Sequence, residues 1–149
     1  MKLPELSEEE IRDWLAGPNI GRVGTVNADG TPRVTALWYL PEEDGRITFN
    51  TYEDNVHVEN IKRDPRVALL VDSSDQPYKS VHYNGHAEVA DEAASAEEIA
   101  RLYQRYFSDG AAALRYGQQL VGAGKRVNIR FTPERHHSVD FGKLGQGTG

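Results

Sequence analysis

The chain has 149 residues, the usual size of a single domain with one hydrophobic core. It contains no cysteine, which excludes disulfides, thiolate metal sites and cysteine nucleophiles, so any redox chemistry requires a bound cofactor. A formal net charge of -6 argues against a nucleic-acid-binding surface, and no apolar stretch is long enough to span a membrane. The acidic N-terminal stretch lacks the apolar segment of a secretory signal, so we expect a cytoplasmic protein.

The N-terminal half predicts one helix followed by short strands. Ser7 and Glu10 form a capping-box pattern, which predicts an amphipathic helix from about Ser7 to Ala16. Three β-prone runs then predict two consecutive hairpins: IGRVGTVN, TPRVTALWYL and RITFNT. A polar helix over residues 54–62 comes next. The apolar run RVALLVD after it predicts a strand that is buried on both faces.

The C-terminal half predicts two long extended segments separated by helices. YKSVHYNGHAEVA reads as a long strand with Gly85 as a bulge. Ser95 and Glu98 repeat the capping-box pattern and predict a helix to about Phe107, and AAALRYGQQL predicts a shorter one. KRVNIRFTPERHHSVDF supplies one or two more strands. We predict a single mainly β domain over residues 1–142, a small antiparallel barrel with helices, and a flexible tail over 143–149.

The residues themselves indicate a possible anion site near the second strand. Strand alternation places Arg33, Thr35 and Leu37 on one face, and Val34, Ala36 and Trp38 on the other. An arginine, a strand edge and a helix that starts near Thr51 to Asn55 are the components of an anion site. The alternative is that Arg33 is an ordinary surface residue and Thr51 an ordinary helix N-cap. The sequence contains no phosphate-binding loop, no Rossmann fingerprint and no serine nucleophile elbow.

The histidines allow two interpretations. On a regular strand His82 and His86 share a face, but a third metal ligand is not evident, so we predict no metal site. His136 and His137 are adjacent and would point to opposite faces of a strand. Either one could still serve as the single axial ligand of a haem.

The order of the segments resembles a known family. IGRVGTVNADGTPRVTALWYL, GRITFNT, HVENIKRDPRVALLV and YNGHAEVAD are similar to the pyridoxamine 5'-phosphate oxidase-like split β-barrel superfamily, in its flavin- and deazaflavin-dependent oxidoreductase branch. The most specific pattern is N-[IL]-x-x-[DN]-P-R-V, found here at residues 60–67. The resemblance implies an antiparallel six-stranded split barrel with flanking helices. It also implies a homodimer with a cofactor groove at the subunit interface.

The resemblance further implies coenzyme F420, our first choice, or FMN as the cofactor, whose ring transfers hydride or electrons to a small organic substrate. The positions matching the family's cofactor-binding residues are Arg33, Thr35, Ala36, Trp38, Asn50, Thr51, Asn55 and His57. Trp38 is equally well interpreted as a core residue. The family commonly has a phosphate-pairing lysine at position 57. Because histidine has an unperturbed pKa of about 6.5, we expect weaker phosphate binding here.

Two other functions remain open at this point. The replaced lysine and the four histidines His82, His86, His136 and His137 also suit a protein that binds haem in the same groove without redox turnover. A dimer with a vestigial site is the third reading. The sequence identifies neither the substrate nor any catalytic side chain.

Overall fold

The computed structural model describes residues 2–145. Within these residues the helices are α1 (Glu8–Ala16), α2 (Val56–Arg63), α3 (Ala96–Tyr103) and α4 (Gly110–Ala123). The strands are β1 (Gly21–Val26), β2 (Pro32–Leu37), β3 (Tyr39–Pro41), β4 (Ile47–Tyr52), β5 (Arg66–Asp72), β6 (Lys79–Ala93) and β7 (Arg126–Asp140), and a 3-10 turn covers Phe141–Lys143. None of these helices is both long and apolar enough to cross a membrane.

The strands form one antiparallel sheet in the order β2-β1-β5-β6-β7-β4-β3. β2 and β3 lie at opposite ends of this order, yet only Trp38 separates them in the chain. In a flat sheet of this width the two edges would be about 29 Å apart. The Cα atoms of Leu37 and Tyr39 can be at most about 7 Å apart. The sheet therefore curls until its edges meet at Trp38.

The mainly β fold with flanking helices is confirmed, but the six-stranded barrel is not. The sheet has seven strands, and its two end strands do not pair to close it. The seventh strand arises because the predicted run TPRVTALWYL is interrupted at Trp38, which divides it into β2 and β3. The architecture is a mainly antiparallel, incompletely closed barrel.

The core lies inside the curled sheet. Phe49, Leu69, Val81, Ile129 and Phe131 are fully buried there, each from a different strand except the last two. α1 closes one end, where Ile11 and Leu15 are buried and the Tyr39 hydroxyl donates to the Leu15 carbonyl at 2.8 Å. α3 and α4 pack on each other, with Ile99, Leu102 and Ala113 buried between them and the sheet.

Two local predictions are confirmed. The capping box at the start of α1 is present, because Glu10 N donates to Ser7 Oγ at 3.2 Å and Ser7 N donates to the Glu10 carboxylate at 2.9 Å. Gly85 lies at a register shift between β6 and β7. A Cβ atom there would lie 2.1 Å from the Thr132 carbonyl oxygen, so only glycine fits.

Three element predictions are wrong. Within residues 2–145 of a single copy β5 is not buried on both faces, because alternate residues such as Ala68 and Leu70 are only half-buried on the outer face. α3 ends at Tyr103, earlier than expected, and the chain then turns so that Arg105 reaches the carbonyls of Leu15 and Gly17. The second predicted helix is the longer one, since nothing in α4 stops it before Gly124.

The two chain ends lie together. Asp140 N donates to the Pro4 carbonyl at 2.9 Å, and Leu6 N donates to Ser138 Oγ at 2.9 Å. Lys143 Nζ donates to the Glu5 carbonyl at 2.9 Å and to the Glu10 carboxylate at 2.6 Å. The predicted tail thus begins on a residue with defined contacts, and its last four residues, 146–149, lie outside the described part of the chain.

Candidate functional site

The residues expected to bind a cofactor lie in two neighbouring groups. Four of them surround the beginning of α2: Arg33, Thr51, Asn55 and His57. Three others border a groove beside the end of β2: Ala36, Trp38 and Asn50. Thr35 lies between the two groups on β2, half-buried and on the same strand face as Arg33. The structure therefore brings the predicted residues to one side of the molecule, in two chemically different surroundings.

Thr51 is at the centre of the first group. It is buried near the end of β4, and its Oγ1 accepts a hydrogen bond from Asn55 Nδ2 at 2.7 Å and lies 3.1 Å from His57 Nε2. The alternative reading of Thr51 as a helix N-cap is wrong, because a short turn separates β4 from α2 and Asn55 occupies the cap position. Thr51 instead fixes two side chains of the next element.

His57 is a buried, uncharged side chain in this arrangement. Only 5% of its surface is exposed. Burial lowers the pKa of His57, and the positive charge of Arg33 lowers this pKa further. The imidazole is therefore neutral at pH 7 and is occupied by its contact with Thr51. His57 thus does not supply a positive charge here.

Positive potential at this end has two other sources. Arg33 is exposed on β2 and lies close enough to influence His57 electrostatically. The first turn of α2 also carries backbone N–H groups, and the Asn55 side chain makes no capping hydrogen bond to them because it donates to Thr51. Lys62, by contrast, is 3.8 Å from the Glu59 carboxylate and is partly neutralised. An anion would therefore meet Arg33 and the helix terminus.

Asn50 belongs to a buried polar network. Its Oδ1 accepts from Arg126 Nε at 2.7 Å, and its Nδ2 donates to Asn128 Oδ1 at 2.9 Å. Arg126 Nη2 also donates to the Asn50 carbonyl at 3.0 Å and to the Tyr103 hydroxyl at 2.9 Å. Asn128 in turn donates to Glu98 at 2.5 Å. Both polar atoms of the Asn50 amide thus have partners within the protein, and through them Asn50 holds Arg126 and the wall of the groove.

The groove beside this network has a volume of about 280 Å³. Seven residues line it: Ile20, Ala36, Leu37, Trp38, Asn50, Tyr103 and Tyr116. Six of the seven side chains are apolar or aromatic, and the polar side-chain groups are those of Asn50 and the tyrosines. Such a combination is typical of sites that bind flat organic molecules.

Trp38 is the centre of an aromatic cluster at this groove. Its ring stacks on Tyr106 with a centroid distance of 4.4 Å and an interplanar angle of 4°. Tyr103 and Phe107 contact it edge to face at 4.9 Å and 6.0 Å, and Tyr116 contacts both of these rings. Trp38 can therefore be both a packing residue and part of the cofactor site, because its half-buried ring packs on α3 and also faces the groove.

The motif at residues 60–67 is structural. Asn60 Nδ2 donates to Thr25 Oγ1 at 3.1 Å and to Asn27 Oδ1 at 2.9 Å, which ties α2 to β1. Arg63 Nη2 donates to the Asn60 side chain at 2.9 Å and to the Val26 carbonyl at 2.7 Å. Asp64 then accepts from Arg66 in the turn before β5. These contacts fix where α2 begins relative to the sheet.

The histidines outside α2 lie on β6 and β7. His82 and His137 are directly opposite each other, whereas His136 is opposite Tyr83 and on the other face. His86 Nδ1 contacts the Glu134 carboxylate at 2.5 Å. Among residues 2–145 no group of three or more histidine and carboxylate side chains could hold a metal ion.

A larger hollow of about 620 Å³ lies between the end of α4 and the start of α2. Its polar lining is acidic apart from Lys125, which pairs with Glu53 at 2.6 Å. It contains none of the eight expected cofactor residues. The smaller groove is therefore the better candidate site.

Comparison of the sequence with models of known protein families identifies its family. The model of the pyridoxamine 5'-phosphate oxidase family matches residues 7–140. The chain belongs to this family. The match includes both groups of candidate residues, α2 and the whole sheet. No curated protein matches the sequence significantly.

Three solved structures illustrate the range of the fold. The conserved hypothetical protein Rv2991 from Mycobacterium tuberculosis is 28% identical, with a TM-score of 0.79 over 100% of this chain and 96% of that one. A structure described as an F420 reductase is 26% identical, with a TM-score of 0.66 over 85% of this chain and 94% of that one. HutZ, the haem storage protein from Vibrio cholerae, is 17% identical, with a TM-score of 0.68 over 94% of this chain and 95% of that one, a likeness of fold alone.

Sequence reasoning missed the residues that α3, α4 and β7 bring to the site. Tyr103, Tyr116 and Arg126 are far from β2 in the chain, and their contacts depend on how the helices pack. Tyr103 follows the apolar spacing of α3 and therefore looked like a core residue. The one sequence feature that could have indicated these residues is the number of aromatic side chains between positions 103 and 116. This number exceeds what a short helical hairpin needs for its own packing.

Proposed function

We propose that this protein is an oxidoreductase that binds coenzyme F420, or alternatively FMN, and transfers hydride or electrons to a small organic substrate. The family match over residues 7–140 carries this proposal. The similarity to a structure described as an F420 reductase, which covers 85% of this chain and 94% of that one, favours the deazaflavin. The bound ring would supply the redox chemistry, since the chain has no cysteine of its own.

The residues at the start of α2 suit the anionic end of such a cofactor. Arg33 offers a permanent charge, and the uncapped first turn of α2 offers backbone N–H donors. Thr51 and Asn55 hold this turn in place through their mutual hydrogen bond. His57 is a buried, neutral side chain that contacts the Thr51 hydroxyl. Ala36, Trp38 and Asn50 would then border the ring, with Thr35 between the two ends.

A homodimer is part of the proposal. Val34 is 71% exposed on β2, and its neighbours on the same outer face are Gly24 and Ala68. Ala36 and Leu70 continue this face on either side of Arg22. We call these five residues the outer apolar face: Gly24, Val34, Ala36, Ala68 and Leu70. A second copy packed on it would lie next to the groove, because Ala36 belongs to both.

The test is a parallel titration of the purified protein with F420 and FMN, followed by absorbance and by fluorescence. We expect micromolar or tighter binding of one of them, with F420 the tighter. Arg33→Ala should weaken binding about tenfold or more, as expected for a lost charge-assisted contact. Arg46→Ala is the matched control, since Arg46 is an exposed arginine that pairs with Asp44 in a distant turn. Failure of both cofactors to bind would overturn the proposal.

His57 gives a second readout in the same experiment. Because its imidazole is buried and neutral, His57→Gln should change the affinity for F420 by less than about threefold at pH 7. Affinity that rises strongly toward pH 6 in the wild type, and not in His57→Gln, would instead make His57 the partner of the phosphate.

Haem binding is the second candidate function. No histidine among residues 2–145 lines the groove, but His82 and His137 lie directly opposite each other on β6 and β7 with His137 exposed, and either could meet a haem on that face of the sheet. A single imidazole is enough for an axial ligand. A Soret band that appears on adding haem, and that His82→Ala or His137→Ala abolishes, would support it. An unchanged spectrum would remove it.

A further inference from the structure

The groove beside Trp38 combines flat aromatic walls with a buried positive charge. Arg126 is only 6% exposed, and it is held by Asn50 and Tyr103, both of which line the groove. The guanidinium also lies over the Tyr52 ring at 4.5 Å. All of these neighbours are uncharged. Within residues 2–145 no carboxylate lies within ion-pair distance of Arg126, and Glu98 is reached only through Asn128 and Asn50.

A buried cation without a counter-ion favours a negatively charged ligand close by. Tyr103 is the group that can transmit this preference, because its hydroxyl accepts from Arg126 and, among the described residues, donates to none. Burial raises the pKa of Tyr103 by more than Arg126 lowers it, so the hydroxyl keeps its proton at neutral pH. A hydroxyl that accepts from a cation becomes a stronger donor to a third group.

We propose that the α3–α4 side of this groove binds the substrate as a planar aromatic anion, a phenolate or an aryl carboxylate. Its oxygen accepts a hydrogen bond from Tyr103, and its ring lies against Tyr116, next to the cofactor ring that Ala36, Trp38 and Asn50 would border. This inference specifies the substrate class of the proposed oxidoreductase, and its relevance to catalysis rests on that proposed function. Binding itself depends only on residues of this chain.

The binding test uses 4-nitrobenzoate, a planar aromatic anion whose nitro group quenches tryptophan fluorescence, and its neutral analogue 4-nitrotoluene. We expect saturable quenching by 4-nitrobenzoate and clearly weaker binding of 4-nitrotoluene. Trp38→Phe should abolish most of the quenching, because the other tryptophan, Trp14, lies in α1 and its Nε1 donates to the Val71 carbonyl. Equal affinities for the anion and the neutral analogue, or quenching that does not saturate, would overturn the proposal.

Tyr103→Phe isolates the proposed donor. It removes one hydroxyl and keeps the ring, and we expect about tenfold weaker binding of 4-nitrobenzoate with little change for 4-nitrotoluene. Tyr78→Phe is the matched control, because Tyr78 is half-buried and its hydroxyl contacts Asp72 far from the groove. Unchanged affinity in Tyr103→Phe would exclude the proposed donor.

Two further measurements test the site if Tyr103→Phe does not fold or if no cofactor binds. If Tyr103→Phe does not fold, Tyr116→Ala at the exposed rim should weaken both ligands severalfold, and no effect there would count against the site. Cofactor titration is scored separately. Binding of 4-nitrobenzoate without binding of F420 or FMN would leave the aromatic-anion site standing and remove the proposed redox function.

Discussion

His57 Nε2 lies 3.1 Å from Thr51 Oγ1, the same oxygen that accepts the Asn55 amide at 2.7 Å. One hydroxyl on β4 therefore fixes both the cap residue and the second residue of α2. Because Asn55 is occupied in this way, its side chain does not cap the helix. The Asn55 carbonyl accepts from Val58 N at 3.0 Å, and the backbone N–H groups of Val56 and His57 stay available. Because His57 is neutral, the α2 terminus has no cation from this side chain, and its positive potential comes from backbone donors and Arg33.

The first prediction concerns pH and His57. Its pKa in the folded protein is lowered, so at and below about pH 6.5 the unfolded chain binds more protons than the folded one. Stability should therefore fall as the pH drops through this range, and His57→Gln should make the fall shallower. Urea unfolding at about pH 7.5 and pH 5.5 measures the difference. His136→Gln, at an exposed position, should keep the wild-type slope.

The second prediction concerns the link between α2 and β1. Asn60→Ala removes the donor to Thr25 and Asn27 and leaves the Arg63 side chain with one acceptor fewer. We expect a loss of about 1–3 kcal/mol in the free energy of unfolding. Lys62→Ala, on the exposed side of the same helix, should change it by no more than about 0.5 kcal/mol. Equal losses of unfolding free energy in the two variants would show that the Asn60 contacts do not stabilise the fold more than an exposed side chain does.

The third prediction concerns self-association. Val34→Asp places a charge in the outer apolar face, and burying it between two copies would be costly. The variant should therefore sediment as a monomer under conditions where the wild type sediments as a dimer. Val121→Asp makes the same change at an exposed position on α4 and should leave the dimer intact. A wild-type monomer at micromolar concentration would remove the dimer from the proposal.

The fourth prediction concerns the bulge at Gly85. Alanine there would force its Cβ into the Thr132 carbonyl, so the β6–β7 pairing must shift. Gly85→Ala should lower the free energy of unfolding by about 2–4 kcal/mol. Gly122→Ala is the matched change in open space on α4 and should raise it by about 0.5–1 kcal/mol. Thermal unfolding of both variants provides the comparison.

The sequence predicted the features that depend on neighbouring residues. The capping box at Ser7, the Gly85 bulge and the alternation of β2 were all visible locally. The motif at residues 60–67 indicated the family, although it does so by tying α2 to β1. Arg126, Tyr103 and the uncovered outer side of β5 could not be predicted, because each depends on which distant element packs beside it.

The meeting of the two sheet edges at Trp38 also limits how copies of this protein can join. β3 is only three residues long and ends in Pro41, which has no N–H to donate, and β2 leads directly into it. The β3 edge therefore offers no long row of free backbone groups to which a neighbouring chain could add a strand, and β2 also begins with a proline, Pro32. Side-chain packing on the outer apolar face is the contact we propose for a second copy, so the amino acids there, rather than backbone pairing at β3, would determine partner choice.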